Sequence, residues 1–161
     1  MTARRQSDEP ALRLGAVAAA VGKGLAAGLA GTAAMTLSST LEARLRGREP
    51  STTPARAASR ALGVAPVDER GEGRFNNLVH WGYGTAWGAV RGLLAAAGLG
   101  GVPATVVHLG AVWGGEQVVL PATGASPPAT RWGATEVAVD LWHHAVYAVV
   151  TGVAYRWLDR R

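Results

Sequence analysis

Four long apolar runs, separated by polar or turn-forming segments, set the plan of this chain. The first covers 11–41 and is interrupted only by Arg13 and Lys23; within it, 24–41 carries no charge, a length near the minimum for crossing a hydrocarbon core about 30 Å thick. The second, 75–100, opens on Asn76, Asn77 and His80. The third, 102–120, holds His108, Glu116 and Gln117 and stops at Pro121. The last, 131–158, reads RWGATEVAVDLWHHAVYAVVTGVAYRWL. The pattern predicts helices at about 14–41, 75–98, 102–120 and 131–158, with one long polar loop at 42–74. That is an all-α fold, an integral membrane bundle of four transmembrane helices, with 1–161 as a single membrane domain.

The last run is the one around which the chain is organised. At about 100° per residue, Glu136, Asp140, His143, Tyr147 and Thr151 share a stripe about 80° wide, with His144 at its edge. The opposite side carries Val137, Leu141, Trp142, Val146, Val149 and Val153. An acidic and imidazole-bearing face cannot be turned to lipid, so it points to a polar interior. Trp132 and Trp157, about 37 Å apart on one continuous helix, match two interfacial belts. The polar segment is broken by Pro50, Pro54 and Pro66. Within it, 53–62 is either a solvated loop or a short interfacial helix opening at Pro54, with Ala55, Ala58 and Leu62 inward and Arg56 and Arg60 toward headgroups. Residues 1–10 read as disordered or interfacial, and 121–130 as a turn-rich linker.

Composition fits a membrane chain. Charged residues are 17% of the sequence, below the usual ~25%. The net charge of +5 comes from arginines at the ends of the apolar runs and between them, where phospholipid headgroups would meet them, and no basic stripe with interleaved aromatics suggests nucleic acid. Basic residues divide evenly between the two sides; the termini are taken as cytoplasmic. The absence of cysteine removes disulfides, thiolate ligands and cysteine nucleophiles. Because Ala and Gly dominate the apolar runs, a soluble all-helical fold stays as the alternative.

Glycines recur at small-xxx-small spacing, which lets helix backbones approach closely in lipid. Gly24 and Gly28, then Gly84, Gly88 and Gly92, then Gly110 and Gly114 are the predicted packing positions. The 84/88/92 face is also a candidate oligomer surface. The expected partners are therefore the lipid bilayer and a second copy or another membrane protein.

Antiparallel neighbours share depths counted from their connecting turn. Counted from Pro121 and Arg131, Glu116 falls level with Glu136, and His108 with His143, about 18 Å along their helices. His80 belongs to the end shared by the two glutamates, and Arg91 snorkels near the next turn. Ionisable groups in a membrane cost about 2.5–3.5 kcal/mol each and usually pair. Three uses stay open. Structural pairing across helices is one. Proton or cation handling by Glu116, Glu136, Asp140, His143 and His144 is another. The third is a metal held by His108, Glu116, Asp140 and His143, so the cofactor is left between none and a divalent metal. Adjacent His143 and His144 diverge by about 100° and suit one metal poorly. No HExxH, phosphate loop, sugar cleft or Ser–His–acid arrangement stands out; Trp87, Trp113 and Trp142 read as lipid-facing or packing groups.

The order HWGYGTAWGAVRG (80–92), HLGAVWGGEQVVLPATGASPP (108–128) and LWHHAVYAVVTGVAYRWL (141–158) resembles the YagU-like small bacterial inner-membrane proteins. The matching features are Glu116 before Leu120-Pro121, the Gly124–Pro128 linker, His144, and the Gly152–Arg156 ending. The resemblance implies a multi-pass protein of the bacterial inner membrane and supplies no reaction or ligand. The first half, with GLAGTAAMT and GREPSTTP, departs from it. Taken together, the sequence predicts a non-enzymatic membrane protein with a buried carboxylate/histidine cluster that handles protons or cations. A membrane metal-binding enzyme or carrier, or a scaffold subunit with structural polar groups, are the alternatives.

Overall fold

The computed structural model describes residues 3–49, 51–64, 66 and 68–160, with backbone alone for 3–12. Among these residues the chain is entirely helical: α1 (Ala3–Arg46), α2 (Thr53–Leu62), α3 (Glu69–Ala96), α4 (Gly101–Thr123) and α5 (Ala134–Asp159), with a 3-10 turn at Ala129–Arg131 before α5. The all-α expectation holds. Two helices, α1 over Arg13–Arg46 and α5, are long and apolar enough to cross a membrane. The others of comparable length, α3 and α4, fall short of that mark, interrupted by Asn76, Asn77 and His80 in one and by His108, Glu116 and Gln117 in the other.

The expected polar loop at 42–74 is largely helix. Glu42, Ala43, Arg44, Leu45 and Arg46 are good helix formers, and α1 runs through them until Gly47. At its other end α1 already includes residues expected to be disordered, from Ala3 onward, while Met1 and Thr2, like Pro50, lie outside the described residues. The segment 53–62 is the short helix α2, with Pro54 in its first turn and Gly63 closing it in the left-handed region. Ala55 is its buried contact, but Leu62 is exposed rather than inward. Arg60, assigned to headgroups, instead donates to the carbonyls of Gly124 and Thr123 at the end of α4. A guanidinium there suits the carbonyls that a helix C-terminus leaves unbonded. α3 starts at Glu69 rather than 75 because Asp68 caps it, its carboxylate accepting from Gly71 N at 2.6 Å.

α1 packs against α3 on one side and α5 on another; α4 lies against α5 and α3, and α2 against α3 and α4. Residues 13–19 are exposed throughout, and close packing of α1 begins near Ala20. The glycines decide where α1 meets α3. A Cβ on Gly28 would lie 2.7 Å from Gly88 Cα, and one on Gly24 would lie 2.9 Å from Gly92 N, both too close for any side chain. Gly84 is covered by Thr32, and Gly92 by Ala20 and Val21. The face at 84, 88 and 92, expected as an oligomer surface, is thus occupied by α1 of the same chain. Gly31, not singled out in the sequence, meets α5 at Tyr147 and Thr151. Gly110 and Gly114 meet nothing within 4 Å and pack no helix among the described residues.

The end of α4 and the start of α5 also differ from expectation. α4 continues through Pro121 to Thr123 and closes at Gly124, whose φ of 68° lets its N–H and that of Ala125 bond back to the last turn. Pro121 has no N–H to give the carbonyl four residues back, yet the helix continues past it to Thr123. α5 begins at Ala134, so Trp132 lies outside the helix and donates its indole N–H to Pro127 O at 2.8 Å. The expected pair of tryptophan belts on one helix is not formed.

Candidate functional site

Ten residues separate α4 from α5, and the true helix ends shift the register between them by about a turn. Thr105 lies beside Gly152, and His108 beside Tyr147 rather than His143. Glu116 therefore misses Glu136 and meets Asp140 and His144. These three offer ligand atoms that all lie within 4.8 Å of one another, with His144 buried and the two carboxylates half-buried.

Their hydrogen bonds fix the chemistry. His144 Nδ1 lies 2.9 Å from the backbone carbonyl of Asp140, one turn earlier. A carbonyl only accepts, so Nδ1 carries the hydrogen, and in the neutral ring Nε2 is an acceptor. Nε2 stands 3.0 Å from Glu116 Oε2, which is also an acceptor when ionised. That oxygen is buried and makes no aligned hydrogen bond among the described residues. Asp140 Oδ2 accepts from the Trp113 indole N–H at 2.8 Å, while Oδ1 turns toward the His144 ring at 3.7 Å. Trp113, expected to pack or face lipid, orients a carboxylate instead. Two acceptors held face to face beside a second carboxylate call for a positive charge shared between them.

The other expected members lie elsewhere. Glu136 is more than half exposed and pairs with Arg46 of α1 at 3.0 Å. His143 is buried and points to α1, its Nδ1 2.9 Å from Ser38 Oγ and its Nε2 3.7 Å from Glu42 Oε2. The divergence of adjacent histidines thus sends one to α1 and the other to α4. A serine, a histidine and an acid do meet here, where the sequence suggested none. Ser38 and Glu42 are one turn apart on α1, a spacing that puts them on one face, although the sequence pattern places Glu42 in a polar loop. Its carboxylate is held by Arg46 Nη1 at 3.1 Å and Arg48 Nε at 3.0 Å.

His108 does not join a metal set. Its Nε2 bonds Trp87 O at 3.0 Å and its ring lies on Tyr147, centroids 5.6 Å apart. Tyr147 in turn donates to Gly84 O at 2.6 Å. His80 meets Thr36 Oγ1 at 2.9 Å; since that hydroxyl donates to Thr32 O, His80 Nε2 is the donor. Arg91 does not snorkel: it is 1% exposed, its guanidinium 4.5 Å from the centre of the Tyr155 ring, with Nε and Nη1 lacking hydrogen bonds among the described residues.

No protein-family model matches the chain, and neither does a curated protein or a solved structure.

Proposed function

We propose that this chain is a multi-pass membrane protein crossing the bilayer four times, with α1, α3, α4 and α5, and that its interior holds a cation at Glu116, Asp140 and His144. The membrane part is supported by where the apolar surface lies. Only 22% of the apolar window of α1 and 33% of that of α5 is buried, unlike the core helices of a soluble protein. The other two long helices also turn large apolar side chains outward, Leu78 and Leu93 on α3, and Val102, Val106 and Val118 on α4. Kinship with the YagU-like proteins and residence in the bacterial inner membrane belong to the same proposal and rest on the motifs of the second half.

The observation that carries the cation is the 3.0 Å approach of His144 Nε2 to Glu116 Oε2, two acceptors without an aligned hydrogen bond. A shared proton favours a straight bond, whereas two ligands of one ion converge at an angle on a common point. A divalent metal with nitrogen and oxygen ligands therefore fits the arrangement better. Trp113 behind Asp140, and the Asp140 carbonyl behind His144, are the outer partners that orient metal ligands. This is a binding role that needs no bond to be made or broken.

The test is metal analysis of protein purified in mild detergent after loading with zinc or manganese, beside Glu116→Gln and His144→Gln. Near-stoichiometric metal in the wild type, lost in both variants, is the expected result. A metal-free wild type with a protonated-carboxyl infrared band that disappears in Glu116→Gln would replace the metal with a proton. The absence of both signals would end the cation proposal.

A further inference from the structure

The hydrogen bonds around Glu116, Asp140 and His144 limit how many positions on an ion the protein can fill. His144 has one ring nitrogen to give, Nε2, because Nδ1 carries its hydrogen to the Asp140 carbonyl. Asp140 has one unengaged oxygen, Oδ1, because Oδ2 accepts from Trp113. Glu116 turns Oε2 toward His144 at 3.0 Å. That makes three donor atoms, one from each residue, all within 4.8 Å of one another.

No fourth histidine or acid joins them among the described residues. The other histidines are committed elsewhere, His80 to Thr36, His108 to the Trp87 carbonyl and His143 to Ser38. Glu136 is paired with Arg46, and the chain has no cysteine. Zinc takes four ligands, and manganese takes the octahedral set. A structural zinc site supplies all four ligands from the protein, whereas three protein ligands are the mark of a site with an open position.

Two further features bear on what fits there. Two carboxylates balance a divalent charge, so a neutral incoming donor keeps the loaded site neutral, while an anion would leave a net charge in a poorly solvated interior. The side chains of Glu116 and Asp140 are also 19% and 24% exposed. They lie about 10 Å along their helices from Thr123 and Ala134, where α4 ends and α5 begins. The ion is therefore incompletely enclosed and close to one end of the bundle, within reach of a small molecule.

We propose that the ion held by Glu116, Asp140 and His144 keeps an exchangeable position, taken by water or by another small neutral nitrogen or oxygen donor. The inference rests on the cation reading above. It makes the ion a point of attachment for a second molecule, not only a strut between α4 and α5.

The experiment is absorption spectroscopy of the full chain in mild detergent, loaded with cobalt(II), whose visible bands respond to each change of ligand. Imidazole is the neutral probe and azide the anionic one. The expected result is a saturable shift of the bands by imidazole, with cobalt still on the protein after gel filtration. Half-saturation is expected at a concentration about tenfold below that needed for azide. Bands that neither probe shifts, or that change only as cobalt leaves the protein, overturn the open position and leave the cation reading intact. Azide acting at the lower concentration overturns the neutral class of ligand. Glu116→Gln and His144→Gln, checked for folding by circular dichroism, are expected to lose the bands. A wild type that binds no cobalt, or bands that survive in both folded variants, overturns the cation reading as well.

Discussion

Gly28 and Gly88 touch backbone to backbone, close enough that a Cβ on Gly28 would lie 2.7 Å from Gly88 Cα. Neither α1 nor α3 can yield there without a shift of the whole helix. Gly88→Ala is therefore expected to destabilise the protein by about 1–3 kcal/mol, the usual cost of overpacking. Gly110→Ala is the contrast: nothing lies within 4 Å of the added carbon, and alanine is the better helix former by about 0.5–1 kcal/mol. Thermal unfolding in one detergent should move in opposite directions for the two variants. Equal losses would show that Gly110 is packed against something outside this chain.

Tyr147 joins α5 to α3 through its hydroxyl on Gly84 O. That carbonyl sits inside a helix and keeps a backbone partner, so Tyr147→Phe removes one bond without stranding a group. A loss of about 0.5–1.5 kcal/mol is expected, read from the same unfolding curves. Metal binding at Glu116 and His144 should be unaffected.

Arg91 combines full burial with two unbonded nitrogens. Its stacking on Tyr155 offsets part of the desolvation cost, but an apolar side chain of similar length carries none of that cost. Arg91→Met is expected to unfold at the same temperature or higher. A large drop would mean that the guanidinium has an anionic partner beyond the chain.

Trp113 sets the direction of the Asp140 carboxylate. Replacing it by phenylalanine keeps the bulk and removes the N–H, so metal affinity at the cluster should fall by about 10–100-fold. Isothermal titration on the folded variant measures this. An unchanged affinity would leave Asp140 outside the ligand set.

The helical character of the chain was legible from the apolar runs because each is longer than any strand and bounded by strong breakers. Where partners meet was less legible, and the reason lies in a few positions. Pro121 looked like the end of α4 and Arg131 like the start of α5. The helices actually end and begin two and three residues further on, since a proline can occupy the final turn and Trp132 is tied to Pro127. That small slip exchanges Glu136 for Asp140 and His144 as the neighbours of Glu116. Of the residues expected at the cluster, Glu116, Asp140 and His144 come together, while His108, Glu136 and His143 do not. Glu42 is not legible as a site residue because a run of charge resembles a loop, although nothing between Leu41 and Arg46 stops a helix. Arg91 was misplaced because hydropathy carries no information about which side of a helix is enclosed.

The order of the partners along the chain bears on how the protein is made. α1 leaves the ribosome well before α5, so Ser38 waits for His143, 105 positions later, and Glu42 waits for the same ring. At a synthesis rate of about 5–20 residues per second, that is roughly 5–20 s in which the polar side of the first helix has no mate. Arg46 and Arg48, paired with Glu42, give that side a local substitute during the delay. The arrival of α5 then relieves α1, and a chain truncated before α5 should be a poor survivor of cellular quality control.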